Sequence, residues 1–279
     1  MFLHIRKRDQ NTQWVAGLLA QLAGIKRHDV SFCGLKDRFA VTTQWFSLYM
    51  PGRDIALEQL QHSDFTVLSM TRHTKKLRRG MHAGNRFCLI LREFAALDDH
   101  FSEIDARLSA IAASGVPNYF GEQRFGHDGG NLVKAQSLIE RDQLKGNRHG
   151  TGMFLSAARS WLFNLVLAER LHGQTWSIAL PGEREPSGPL WGRGRSAASG
   201  DLQQLEQTVL ADWQSWCYAL EHAGLKQERR ALILQPQAMA WQRLDRDQLQ
   251  LTFELSGGCF ATVILREIAE LFRPKIEVL

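Results

Sequence analysis

Cys33-Gly34-Leu35-Lys36-Asp37-Arg38-Phe39-Ala40-Val41-Thr42-Thr43-Gln44-Trp45 places one carboxylate between two cations, shortly after a glycine. A β-prone run then extends to Met50 and stops at Pro51-Gly52. The flanking Lys36 and Arg38 favour the ionised form of Asp37, and a carboxylate kept ionised can serve as a nucleophile or an electrostatic stabiliser. The plainer alternative is a loop aspartate in a surface charge cluster, because exposed ion pairs are common and mostly inert. Spacing alone leaves both open.

Outward from this motif, residues 2–7 read as a strand. Asn11 or Thr12 caps a helix whose Val15, Leu18, Leu19 and Leu22 follow the 3.6-residue period, with Gly24 ending it. Residues 30–33 read as a short strand leading into the Asp37 loop, and 65–70 and 87–91 as further strands. A helix through Ile104, Leu108 and Ile111 stops at Gly115. From there to about residue 234 the pattern turns helical, with apolar stripes over 132–139, 155–171 and 202–220. Leu249, Leu251, Phe253 and Leu255 alternate as a strand, and 261–271 reads as a closing helix. A β-rich beginning and end around a helical middle predict an α+β fold. Its mixed or antiparallel sheet domain takes residues 1–114 and 235–279, and a mainly helical insertion takes 115–234.

A chain of 279 residues is long enough to bury a substantial core in one large or two modest domains. Its net charge of +5 suits a polyanionic partner without proving one. Four cysteines, at 33, 88, 217 and 259, form no CxxC pair and no disulfide-scaffold density, which predicts free thiols in a reducing compartment. No apolar run reaches membrane-spanning length and the N-terminus carries no signal-peptide pattern, so the expectation is a cytoplasmic protein with no membrane partner. None of the ten histidines sits in HExxH or another ligand spacing.

Gly34-Leu35-Lys36-Asp37-Arg38-Phe39-Ala40-Val41-Thr42 with Gln44-Trp45 resembles the signature of the tRNA pseudouridine synthase D (TruD) family. Further stretches match in the same order: Asn11-Thr12 opening a helix, then Lys75-Lys76-Leu77-Arg78 followed by Gly84-Asn85-Arg86-Phe87. Val116-Pro117-Asn118-Tyr119-Phe120-Gly121-Glu122-Gln123-Arg124-Phe125-Gly126 and Leu155-Ser156-Ala157-Ala158-Arg159-Ser160 continue the series. Gly258-Cys259-Phe260-Ala261-Thr262 with Arg266-Glu267 completes it, so the resemblance spans almost the whole chain. It implies a catalytic domain shared by pseudouridine synthases, carrying a family-specific insertion. It further implies that Asp37 is the catalytic aspartate, that Asn85, Phe87 and Phe260 bind substrate, and that the target is uridine-13 of tRNA. A monomer with no metal and no cofactor is expected. Relative to the family pattern, an N-terminal stretch holding a Lys and a Glu-Asp-Phe segment is expected to be missing. A second block is expected to be missing near Gln174-Thr175, where His172-Gly173 runs into Trp176-Ser177. A second function therefore stays open, an RNA-binding or RNA-refolding module without catalysis.

Uridine becomes pseudouridine when its N1–C1′ bond breaks and the base reattaches through C5, with no redox change and no group donor. The lack of a phosphate-binding GxxxxGK[ST], of GxGxxG after a strand and of a zinc ligand set fits that simplicity. It also argues against a zinc deaminase, which needs His and paired cysteines, and no acid cluster for Mg²⁺ accompanies Asp37 as a nuclease would require. An ionised carboxylate in a dry pocket could attack C1′, add to C6 of the uracil, or abstract a sugar proton to give a glycal. Ordinary glycoside hydrolysis would need a second carboxylate, and Asp29 and Asp54 lie in separate segments and read as surface acids.

Extruding the target base costs a few kcal/mol, and stacking on an aromatic ring returns ~1–3 kcal/mol per base. By pattern alone Phe87 and Phe260 are core residues; the resemblance moves them to the substrate. Asn85 has both a donor and an acceptor for a uracil edge. Arg72, Lys75, Lys76, Arg78 and Arg79 fall in one stretch with two histidines and no acid, either a solvated basic face or a phosphate-backbone contact. The 118–130 stretch mixes aromatics, arginine and glycines and reads either as hinge packing at the junction with the insertion, which the pattern favours, or as an RNA surface.

Overall fold

Period-2 alternation in the first strand, β1 (Phe2–Arg8), turns Leu3, Ile5 and Lys7 to one side, all three buried. Lys7 is thus a cation in an apolar row. The computed structural model describes residues 1–78, 80–95, 97–144 and 150–272; Arg79 lies outside them. The chain divides into two compact units, Met1–Asn85 and Arg86–Leu279.

In the first unit, β1 is followed by α1 (Thr12–Leu22), β2 (Val30–Phe32), β3 (Val41–Leu48) and β4 (Phe65–Thr71). The strands form an antiparallel sheet in the order β2-β3-β1-β4. The Asn11 side chain caps α1 by accepting the Gln13 amide at 2.8 Å. Val15, Ala16, Leu19 and Ala20 then lie against Leu3, Ile5, Phe46 and Leu48 of the sheet in one core. The β1–β3 register pairs Lys7 with Thr42 and Arg8 with Val41, which brings the end of β1 beside the loop carrying Asp37.

The strand β5 (Gly84–Leu91) runs across the boundary between the units. The second unit continues with α2 (Phe101–Ser114), β6 (Val116–Pro117), α3 (Glu122–Phe125), α4 (Gly130–Glu140) and α5 (Thr151–His172). It then passes through β7 (Ser187–Leu190), α6 (Gly200–Val209), α7 (Gln214–His222), β8 (Glu228–Ala231) and β9 (Ile233–Leu234). It closes with β10 (Gln237–Asp245), β11 (Gln248–Ser256) and α8 (Ala261–Arg266). One sheet has the order β10-β11-β5, and β6–β9 and β7–β8 form antiparallel two-stranded ladders. Leu249, Leu251, Phe253 and Leu255 bury their side of β11 as the alternation predicted, in a core with Leu108, Ile111 and Ile264. A separate core gathers Leu155, Leu162 and Val166 of α5 with Leu210, Trp216 and Leu220. Helices and antiparallel strands together give the expected α+β class.

Three expectations change. The 202–220 stripe is two helices, because the backbone leaves helical geometry at Leu210 (φ −96°, ψ 11°) and again at Trp213 (φ −109°, ψ 18°). There the indole meets the edges of Trp216 at 4.9 Å and Trp161 at 5.8 Å between centroids. The middle region also contains the short ladders, which periodicity over so few residues does not reveal. Finally, the closing helix ends at Arg266 rather than 271. Val263, Ile264 and Leu265 are buried, whereas Phe272 is 84% exposed and joins no core among the described residues.

At Gln174-Thr175, Arg170 closes the junction. It is fully buried, its Nη1 meets Glu183 Oε1 at 2.7 Å, and its other nitrogens donate to the Thr175 and Ile178 carbonyls. No described helix is long and apolar enough to cross a membrane. All four cysteines are free thiols.

Candidate active site

The loop that carries Asp37 is held from three sides. Gly34 has φ +74°, a left-handed conformation that strains any other residue, and this turns the chain out of β2. Thr12, at the start of α1, accepts the Lys36 amide at 3.0 Å and donates its hydroxyl to Gln44 Oε1 at 3.0 Å. Gln44 in turn donates from Nε2 to the Gly34 carbonyl at 3.4 Å. From the sheet side, Lys7 Nζ donates to the Asp37 backbone carbonyl at 2.7 Å. The Asp37 carboxylate accepts the Phe39 amide at 3.0 Å through Oδ1, an Asx turn that fixes the side chain, which is itself exposed. Leu35 and Phe39 are exposed beside it, at 64% and 69%. Exposed apolar side chains flanking an exposed carboxylate fit a surface that receives a ligand better than one that faces water alone.

Burial pushes the Lys7 ammonium below its usual pKa; the Asp37 charge opposes this and Lys36 adds to it. Lys36 is lowered too, first by burial, with Cys33 opposing. Two partly desolvated cations therefore attend one carboxylate-bearing loop. Lys36 Nζ donates to Asn85 Oδ1 at 2.8 Å, so Asn85 is brought to the loop through the residue next to Asp37. Asn85 retains its amide NH₂ donors and the second lone pair of Oδ1.

The aromatic candidates belong to the other unit. Phe87, half-buried on β5, packs on Phe253 with centroids 5.5 Å apart. Phe260, half-buried ahead of α8, meets the edge of Phe120 at 6.4 Å and lies 5.6 Å from the Arg124 guanidinium. In the basic stretch, Arg72 is engaged by Asp54 and by the Arg53 carbonyl, and Lys76 Nζ donates to the His28 carbonyl at 2.9 Å. Leu77 is buried and its amide donates to Ser47 Oγ at 3.1 Å, which anchors the stretch and leaves Lys75 and Arg78 exposed. Among the described residues, no group of three or more His, Cys, Asp or Glu is placed to hold a metal ion.

Sequence reading missed Lys7, and it missed Thr12 and Gln44 as struts of the loop. A signal for Lys7 existed. It is the third member of the inward row begun by Leu3 and Ile5, and a lysine at an inward strand position is held by a partner or destabilises the fold. No local pattern marked the Thr12–Gln44 pair, whose partners are 32 residues apart.

In overall structure the chain resembles a solved structure from Methanosarcina mazei, described as a candidate tRNA pseudouridine synthase D (TruD). The TM-score is 0.72 at 18% identity, covering 97% of this chain and 87% of that one. That likeness places the fold in the α+β class of such synthases. The model of the family described as tRNA pseudouridine synthase D (TruD) matches residues 1–145 and 177–268. A tRNA pseudouridine synthase D from Cellvibrio japonicus is 46% identical over 284 residues, covering 100% of this chain and 84% of the relative. One from Pseudomonas aeruginosa (strain LESB58) is 43% identical over 299 residues, covering 97% and 83%. The chain belongs to the tRNA pseudouridine synthase D family.

Proposed function

We propose that this chain is an isomerase that converts a uridine of tRNA, by resemblance uridine-13, to pseudouridine, with Asp37 as the group that acts on the nucleotide. The observation that carries the proposal is the Asp37 loop. Its backbone is clamped by a buried ammonium, a threonine and a glutamine, while its carboxylate stays available and its direction is set by an Asx turn. A carboxylate so fixed is preorganised for attack at C1′, addition at C6 or removal of a sugar proton. Whichever occurs, the N1–C1′ bond breaks, C1′ bonds to C5, the proton on C5 is lost and N1 gains one. The balance needs no oxidant, reductant or donor.

Asn85 would donate to the uracil edge, and Phe87 and Phe260 would stack on the extruded base. The exposed Lys75 and Arg78, with Lys76, Arg72 and Arg79, would lie along the phosphate backbone. We assign residues 1–114 and 235–279 to the catalytic domain and 115–234 to the insertion. Of the three apolar cores among the described residues of Arg86–Leu279, one built mainly from 97–111 and 249–265 and another from 135–223 support that division, while a third joins Phe120, Phe163, Leu167 and Leu232 to Phe260. We further propose that the protein works as a monomer in the cytoplasm.

Asp37→Asn tests the reading, because it keeps the Asx acceptor and removes the charge. Carbodiimide mapping of tRNA after incubation should show product from the unaltered chain and none from the variant, while tRNA affinity stays within about twofold. Retained affinity with no product from the unaltered chain would instead make it an RNA-binding module.

A further inference from the structure

Two arginines converge on the ring of Phe120 with no carboxylate to receive them. The Arg230 guanidinium lies 4.1 Å from that ring's centroid. The Arg124 guanidinium lies 5.3 Å from it and 5.6 Å from Phe260. Their hydrogen-bond partners include no carboxylate: Arg230 Nη2 donates to Asn118 Oδ1 at 2.6 Å and Nη1 to the Gly258 carbonyl at 3.2 Å, with the Cys259 side chain beside it, and Arg124 Nη1 donates to Ser156 Oγ at 2.8 Å. The Nε–H of each is buried and has no acceptor among the described residues. Among those residues neither arginine forms an ion pair, and the acids close by in sequence are engaged elsewhere, Glu122 by Arg266 and Glu228 by Arg159. The same unit treats its other enclosed arginines differently, seating Arg170 on Glu183 and Arg229 on Glu206.

A guanidinium taken out of water without a counter-ion is costly, and a cation–π contact returns only part of that cost. Burial lowers the proton affinity of both arginines; at Arg230 the Cys259 thiol opposes this and the charge of Arg124 adds to it. The arrangement is that of a site waiting for an anion. Phe260 narrows the choice: a π-face beside paired guanidinium forks suits a base attached to a phosphate, because the forks match phosphate oxygens and the ring takes the base.

We infer that Arg124 and Arg230 form a subsite for a phosphodiester group of the RNA strand whose extruded base stacks at Phe260. The inference rests on the RNA-isomerase reading above and adds to it the residues that hold the strand in place.

The test measures tRNA affinity across a salt series for the unaltered chain, Arg124→Gln, Arg230→Gln and the double variant, alongside product formation. It is repeated with RNA carrying single neutral methylphosphonate linkages around the target uridine. Each glutamine variant should bind roughly tenfold more weakly, and the log–log salt slope of the double variant should fall by about 0.7–0.9 for the one phosphate released. One methylphosphonate position should weaken the unaltered chain and leave the double variant unchanged. Should a glutamine variant not fold, Arg124→Lys and Arg230→Lys retain the charge but lose the fork, and lower affinity with an unchanged slope is expected. Lysine variants of unaltered affinity, or glutamine variants with lower melting temperature but an unchanged slope, would mean that the arginines only pack. An unaltered chain that binds and converts tRNA while these variants match it overturns the subsite alone; one that binds no tRNA overturns both readings.

Discussion

The Asp37 motif singled itself out in the sequence, with its role suggested by the family resemblance, but what holds the loop was not legible there. Lys36 and Arg38 are adjacent in sequence, yet the ammonium that grips the Asp37 carbonyl comes from Lys7, across the β1–β3 pairing. Lys7 is 2% exposed, so Lys7→Met should fold at least as well while leaving the carbonyl unheld. We expect its kcat to fall roughly tenfold, in line with losing a hydrogen bond from a charged donor, with little change in KM for tRNA. Equal kcat in Lys7→Met would show that the lysine does not set the aim of Asp37. The pH dependence has a definite sign. Because burial lowers the folded-state pKa of Lys7, its ammonium is lost as pH rises through a value below 10.5. Over that window the unfolded chain binds the proton more tightly, so this group's contribution to stability improves with pH while the clamp on Asp37 weakens. An alkaline fall in kcat below pH 10.5, absent in Lys7→Met while stability does not fall, is the expected profile. A fall that persists in Lys7→Met would assign the titration to Lys36, whose pKa is lowered as well.

Among elements, the alternating strands and the short β2 declared themselves, whereas the β6–β9 and β7–β8 ladders and the break between α6 and α7 did not. The alternation of β11 and the caps of α1 are local properties, written in consecutive residues. The start of α7 and the end of α8 depend instead on what the chain packs there: Trp213, at the N-cap of α7, meets Trp161, whereas Phe272, past the end of α8, is exposed. Gly115 shows both levels. Its place after an amphipathic run marks a helix end, but only the folded chain shows that a Cβ there would lie 2.7 Å from the Leu234 carbonyl, at φ +72°. Gly115→Ala should therefore cost at least about 2 kcal/mol, from steric overlap and a backbone region closed to other residues. By contrast Gly17→Ala, in the middle of α1 with nothing within 4 Å of the added carbon, should stabilise by roughly 0.5–1 kcal/mol. Denaturant midpoints of the two variants check both; a midpoint for Gly115→Ala equal to that of the unaltered chain would refute the clash.

For the whole molecule, charge and family pattern agree on a polyanionic partner. The +5 net charge is modest, so the placement of cations matters more than their number. Lys75, Lys76 and Arg78 hang from the anchored Leu77, and Arg72 is engaged by Asp54. Replacing Lys75, Lys76 and Arg78 by Gln should weaken tRNA binding and flatten its salt dependence by up to about 0.7–0.9 for each phosphate no longer neutralised, without altering kcat at saturating tRNA. An unaltered slope would confine the stretch to the solvated face. By itself the sequence determined the α+β class, the strands of the first unit, the family and the motif that carries Asp37, because each is carried by neighbouring residues or by a motif read in order. Only the tertiary structure decided that Lys7 holds Asp37, that Lys36 reaches Asn85, and that Arg124 and Arg230 face aromatic rings with no acid between them. Those relations join residues far apart along the chain, and whether a charge is desolvated or partnered depends on what folding packs around it.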